Sequence, residues 1–279
     1  MLRCVIDAKL EDLAVFSCYG LVQCHPVLMT WNRQTIFSLS FLLTSAAFLQ
    51  ITNAQAQTDT ANLNRLSDAE KAAGWQLLFN GQDFAGWHNF KREGVRPGWQ
   101  VKDGALVCTD PHNAGDLVTS NKFDWFELQL DYNISEAGNS GIMYHVTDQG
   151  GAIWATGPEF QLEDNVKAAD RVRCGWLYAL YQPPNDPQTG KPLDATKPVG
   201  QWNHVRLLIS PEKCEHEING VKYFEYVLNS EDFKSRVAKS KFAQMPYFAK
   251  SDTGYLGLQG DHGSISFRDI KIRPIPQAK

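Results

Sequence analysis

Glu159, Gln161 and Glu163 alternate with Phe160 and Leu162 in the segment Thr156-Gly-Pro-Glu-Phe-Gln-Leu-Glu-Asp-Asn165. On an extended strand that spacing sends the three polar side chains to one face and the two apolar ones to the other. Such a polar face is costly to bury unless it lines a wet groove, and it equally suits an ordinary solvated sheet face. Direct glycoside hydrolysis needs two carboxyl groups about 5 to 9.5 Å apart, whereas Glu159 and Glu163 stand about 13 Å apart on a strand. That pair fails unless a bulge shortens it or a neighbouring strand lends a carboxylate such as Asp116 or Glu215. Further polar groups lie beside glycine or aromatic residues in Asn139-Ser-Gly-Ile-Met-Tyr-His145, at Trp154, Tyr178 and Tyr181, and in Gln259-Gly-Asp-His-Gly263. Aromatic faces stack on the C–H face of a sugar ring while amides and carboxylates take its hydroxyls, although a single Trp is more often a core residue. His145 is opposite in parity to Ile142, Tyr144 and Val146, which predicts that it faces a groove. His262 lies in a glycine-flanked turn.

The elements that must hold these residues read as strands. In Phe126–Ile134 apolar and polar residues alternate without a break, as a half-buried strand requires. Similar short runs recur at 99–107, 141–146, 159–162, 202–209, 214–218, 221–226, 255–258 and 264–272. Asn80-Gly81, Asp103-Gly104 and Asn219-Gly220 supply the positive φ of tight turns, the last between two alternating runs. Many short strands with almost no helix predict an all-β, antiparallel sandwich. Ser67-Asp-Ala-Glu70 is a capping box opening a short helix that Gly74 stops, and Ser230 caps a second helix running toward Phe242. Five prolines make 182–199 a long surface loop.

The chain has 279 residues, 43% hydrophobic and 21% charged, with 27 Lys+Arg against 31 Asp+Glu and a net charge of −4. That excludes a disordered chain and a polybasic nucleic-acid binder. No phosphate-binding glycine loop, G-x-S-x-G elbow, H-E-x-x-H or EF-hand spacing occurs. Ile36–Leu49 is uncharged, too short to span a bilayer, preceded by Arg33 and followed by Ala54-Gln55-Ala56, the pattern of a secretory signal peptide. The expectation is a start at Met29, cleavage after Ala56, and a periplasmic or secreted protein with no membrane attachment. Residues 1–56 then form extension and signal, 57–73 a linker with a short helix, 74–275 one domain and 276–279 a tail. Cys108, Cys174 and Cys214 remain, with no C-x-x-C spacing, and read as buried free thiols.

Gly74-Trp-Gln-Leu-Leu-Phe-Asn-Gly-Gln-Asp-Phe-Ala-Gly-Trp87, Gly115-Asp-Leu-Val-Thr119, Gly138-Asn-Ser-Gly-Ile142, Gly157-Pro-Glu-Phe-Gln161, Gly200-Gln-Trp-Asn203, Asn219-Gly220 and Phe267-Arg-Asp-Ile-Lys-Ile272 resemble, in order, the motifs of the 3-keto-disaccharide hydrolase domain family. The resemblance implies a concanavalin A-like jelly roll, usually exported, that acts on sugars. Two departures stand out: Glu163 replaces a residue that tends to be apolar, and Gly260 separates Gln259 from Asp261-His262. The family name implies abstraction of a C2 proton acidified by a C3 ketone, elimination of the glycosidic oxygen, and hydration. One base, donors for an enolate oxygen and an acid then suffice. On this reading Glu159 or His145 is the base, His262 or Gln161 the enolate-side donor or acid, and Asn139, Tyr144, Trp154, Asp164 and Gln259 contact the substrate. The expected ligand is a saccharide, with no nucleic-acid partner and no cofactor; calcium, which such sandwiches often hold, stays open because no dense Asp/Asn loop requires it. A non-catalytic carbohydrate-binding jelly roll and a conventional retaining glycosidase are the competing readings.

Overall fold

The computed structural model describes residues 63–276. The expected signal peptide and cleavage site lie outside the described residues. A five-residue helix, α1 (Asp68–Ala72), opens this region; Ser67 accepts from the Glu70 N–H, and Glu70 reaches back to the Ser67 N–H, completing the capping box. Thirteen strands follow in two antiparallel sheets, the expected all-β sandwich.

The larger sheet holds eight strands: β1 (Gln76–Leu77), β3 (Trp99–Lys102), β4 (Ala105–Cys108), β6 (Phe126–Ile134), β9 (Asn203–Ile209), β10 (Cys214–Ile218), β11 (Val221–Tyr226) and β13 (Ile265–Pro274). Its order is β11-β10-β9-β6-β13-β4-β3, with β1 paired to β13. The alternation of β6 pairs in register with β9, Leu128 opposite Leu207 and Leu130 opposite Val205. The turns between β3 and β4 and between β10 and β11 use Asp103-Gly104 (φ 49° and 73°) and Asn219-Gly220 (φ 51° and 80°), the two positive values a two-residue hairpin needs.

The smaller sheet runs β2 (Trp87–Asn89), β5 (Leu117–Phe123), β12 (Gly254–Leu258), β7 (Asn139–Val146) and β8 (Glu159–Glu163). The main core lies between the sheets, where Leu128, Leu130, Leu207 and Ile209 join Ile142, Tyr144, Phe160 and Leu162. Ion pairs fill the far face of the larger sheet: Arg206 there bridges Glu127 at 2.6 Å and Glu215 at 3.1 Å. The far face of the smaller sheet carries only a small apolar cluster, Val118, Met143, Val146 and Ile153, and beside it the polar residues of β8.

The second helix, α2 (Glu231–Ala238), begins at its Ser230 cap but stops before Phe242; a separate 3-10 turn, Lys241–Gln244, follows. Residues 182–199 form a loop with a single isolated bridge, Asn185 to Pro192. Cys108, Cys174 and Cys214 are buried and unbridged. Among the described residues, no helix is long and apolar enough to cross a membrane, and no group of three His, Cys, Asp or Glu is arranged to hold a metal ion.

Candidate functional site

Three segments converge on the far face of β7 and β8. In the register of this pair Met143 faces Glu159, Gly141 faces Gln161 and Asn139 faces Glu163. Phe160 and Leu162 point into the core, so the three polar residues of β8 point away from it. Gly141 makes room for the first of them: a Cβ there would stand 2.3 Å from Glu159 Oε1. The outer edge of β8 is covered by the chain that follows it. Gln161 N–H donates to Trp176 O, Gly175 N–H to Gln161 O, and Tyr178 N–H to Glu159 O. That pairing brings Tyr178 beside Glu159, and Tyr178 Oη donates to Asp170 Oδ2 at 2.6 Å.

The second segment is the 3-10 turn after α2. Phe242 and Phe248 stack at 3.8 Å, and Ala249 N–H donates to Thr156 O, tying this stretch to the turn that carries Trp154. Lys241 thereby lies with its Nζ 3.9 Å from the Tyr178 ring centroid and 5.7 Å from that of Trp154. The third segment is the loop after β12. Gln259 N–H donates to Gly141 O, Ser140 Oγ donates to Gln259 O at 2.7 Å, and Asn139 N–H donates to His262 O. His262 Nδ1 contacts Asp261 Oδ1. Gly260 fits where no side chain could, since a Cβ would meet Gly115 O at 2.5 Å and the Trp99 ring at 2.6 Å. Its N–H donates to Asp116 Oδ1 at 3.4 Å.

Together these segments enclose an open depression of about 420 Å³ lined by Asn139, Trp154, Glu159, Asp170, Tyr178, Lys241, Gln259, Asp261 and His262. Glu159 is 5% exposed. Burial pushes its carboxyl up to about 8; Lys241 opposes the shift, and the charges of Asp170, Asp116 and Asp261 reinforce it. Asp116, beneath the loop, is pushed up to about 7 by burial and by Asp261. The Gln259 Oε1 atom is buried with no partner. The site therefore offers a carboxyl that titrates near neutral pH, a lysine, an imidazole paired with a carboxylate, two amides and two aromatic faces.

Of the residues singled out from the sequence, Glu159, His262, Asn139, Trp154 and Gln259 come together here. Gln161 lies beneath, wholly buried, its Nε2 donating to Asn139 Oδ1 at 3.4 Å and its Oε1 unpartnered; it is not on the open surface. His145 does not face the groove. The parity rule assumes an unbroken pleat, but β7 gains one residue over β12 between Tyr255 and Gly257, and His145 has φ 53°, a bulge that re-aims the side chain. Its ring sits edge-on to Trp125 and Tyr144, both 5.4 Å away, and bonds the Asp124 carbonyl. Burial lowers its pKa, so a charged imidazole is disfavoured there. Tyr144 lies between the sheets, with its hydroxyl on that of Tyr226. Asp164 accepts from the Ala137 and Val166 N–H groups, both at 2.9 Å, and holds the turn after β8. Glu215, weighed as a partner carboxylate, belongs to the other sheet and pairs with Arg206 and Lys213. Asp170, Tyr178, Lys241 and Asp261 were not assigned roles from the sequence. Asp261 adjoins His262 in the quoted motif and Tyr178 was noted for its ring, but nothing marked Lys241, which follows an ordinary amphipathic helix.

A family model described as the 3-keto-alpha-glucoside-1,2-lyase-like domain matches residues 74–273. A protein of Bacteroides thetaiotaomicron named 3-keto-disaccharide hydrolase is 27% identical over 248 residues, which cover 76% of this chain and 82% of that one. A crystal structure from Parabacteroides distasonis, provisionally described as a glycosyl hydrolase, superposes with a TM-score of 0.68 at 33% identity, covering 77% of this chain and all of that one. A second structure from the same organism and with the same description gives a TM-score of 0.53 at 27% identity, over 72% of this chain and 99% of the other.

Proposed function

Because the chain belongs to the 3-keto-alpha-glucoside-1,2-lyase-like domain family, we propose that it is an exported glycoside-cleaving hydrolase whose substrates are 3-keto-glycosides. The observation that carries this reading is Glu159, a buried carboxyl with a pKa raised to about 8 on the floor of a polar depression. A proton next to a ketone is removed most efficiently by a base whose pKa lies near the working pH. Ionised Glu159 takes the C2 proton, and the electron pair of that bond moves into a C2=C3 double bond as the C3 carbonyl becomes an enolate. Collapse of the enolate restores the C3 ketone, forms a C1=C2 double bond and breaks the bond from C1 to the glycosidic oxygen. His262, oriented by Asp261, protonates that oxygen as it leaves. Water then adds across C1 and C2 to complete a net hydrolysis. Asn139 and Gln259 take ring hydroxyls and Trp154 stacks on the sugar.

Export rests on the apolar run 36–49 and the Ala54-Gln55-Ala56 site. The substrate is tested by incubating the purified protein with a disaccharide and with its 3-keto form and measuring released sugar. Release from the oxidised form alone is the expected result. Release from the plain disaccharide would select a conventional glycosidase, and binding without release a carbohydrate-binding module.

A further inference from the structure

We infer that Lys241 is the electrophile that stabilises the enolate, its ammonium donating a hydrogen bond to the C3 oxygen as the C2 proton leaves. The inference rests on the proposed 3-keto-glycoside reaction and assigns to it a residue that no motif marks. The position is built: the stacked Phe242 and Phe248 pin the 3-10 turn, and the Tyr178 ring lies under the ammonium at 3.9 Å. Aromatic faces attract a cation without consuming its N–H hydrogens, so these remain free to donate into the depression that Lys241 lines. Tyr178 is not available for the same role, because its hydroxyl already donates to Asp170.

Charge movement favours this arrangement. Before reaction the negative charge is on Glu159, and Lys241 is the positive charge that favours its ionised form. When Glu159 accepts the proton it becomes neutral, and the same unit of charge appears on the C3 oxygen. A cation lining the same depression as Glu159 keeps a counter-charge throughout, and a donor in place before the reaction reduces reorganisation, the condition under which donors aimed at developing charge are most effective. Lys241 donates a hydrogen bond and gives up no proton, so no further proton or co-reactant enters the balance.

The test compares wild type with Lys241→Met and Lys241→Arg on a 3-keto-disaccharide. Loss of one such donor costs about 10²- to 10³-fold in turnover; K241M should lower kcat by that amount with KM little changed, and K241R should recover part of it. The charges left acting on Glu159 in K241M are the carboxylates of Asp170, Asp116 and Asp261, with His262 across the depression, so the rising limb of the pH profile should move to higher pH. Lys241 is exposed, and an unchanged melting temperature would separate this loss from unfolding. A kcat for K241M within threefold of wild type, or a loss confined to KM with the pH limb unmoved, overturns the role of Lys241. Failure of wild type to cleave the oxidised substrate refutes the proposed reaction instead.

Discussion

The two faces of the five-stranded sheet bury polar groups in opposite ways. Toward the core, Tyr144 forms a closed chain with Tyr226 and His216 of the larger sheet. His216 Nδ1 donates to Gly175 O at 2.9 Å, its Nε2 accepts from Tyr226 Oη at 3.3 Å, and Tyr144 completes the series through its hydroxyl. Burial holds the His216 pKa down at about 3, so the ring is neutral, stacked on Phe160 at 4.6 Å. On the outer face Gln161 Oε1, Glu163 Oε2 and Gln259 Oε1 are buried without partners, and the Glu159 carboxyl is influenced by burial and by charges across the pocket. An unsatisfied buried polar atom costs about 1–3 kcal/mol. The core chain minimises that cost, whereas the outer face retains it, and at Gln259, which lines the depression, a ligand hydroxyl would remove it. The inner side, where Tyr144 of this sheet meets Tyr226 and His216 of the larger one, thus holds polar groups that are paired, and the outer side holds polar groups that are not.

Replacing Glu159 with Gln is the strongest way to break this comparison. Loss of the general base should lower turnover of a 3-keto-glycoside about 10²- to 10⁴-fold. In wild type the rate should rise with pH toward about 8, because the base acts only when ionised. Stability should move the other way. The carboxyl ionises near its ordinary 4.5 in the open chain and near 8 in the fold, so between those values the folded state retains a proton that the unfolded chain releases. Stability therefore falls as pH rises through this window. E159Q has no proton to lose and should melt above wild type at pH 8 to 9, with the difference vanishing below about pH 4.5, as thermal melts across pH would show. An E159Q protein that melts lower at pH 9 would place Glu159 with the structural groups.

Gly141→Ala probes the same carboxyl without altering its chemistry. A methyl group 2.3 Å from Oε1 must displace it. A misplacement of about 1 Å costs about 10²-fold in rate, and overpacking costs about 1–3 kcal/mol. Full activity in G141A, measured beside its melting temperature, would mean that the position of the Glu159 carboxyl is not critical.

The division between the two faces was only partly legible in the sequence. Period-two runs gave β6, β10 and β11 with their bounds, and Asp103-Gly104 and Asn219-Gly220 gave the β3–β4 and β10–β11 turns, because these features are local. Leu117–Phe123 escaped: Leu117, Val118 and Thr119 are all buried, with Leu117 in the main core and Val118 in the outer apolar cluster, and a stretch covered on both faces shows no alternation. His145 was misplaced because a single bulge inverts parity beyond it. Glu159 was legible from its strand spacing, but its pKa was not, since that depends on burial and on the charges of Lys241, Asp170, Asp116 and Asp261, brought around it from distant segments.

On the core side, Tyr226→Phe tests the satisfied chain. It leaves His216 Nε2 without a donor and the Tyr144 hydroxyl without its partner, which should cost about 1–3 kcal/mol of stability while kcat and KM stay at wild-type values. Chemical denaturation beside a turnover assay would sharpen the comparison, and a loss of activity without a loss of stability would blur it.

Trp154→Ala is the complementary and smallest change. Trp154 is 37% exposed at the mouth of the depression, so its removal should shift stability by no more than about 0.5 kcal/mol. If its ring is a stacking platform for the sugar, losing it removes about 0.5–1.5 kcal/mol of aromatic contact. That energy is the same in the ground state and the transition state, so it belongs in KM: an increase of about 2- to 12-fold at 1.4 kcal/mol per tenfold, with kcat unchanged. A fall in kcat at constant KM would instead draw Trp154 into the chemical step. On the expected outcomes the Tyr226 hydroxyl is read only in the melt, and the Trp154 ring only in KM.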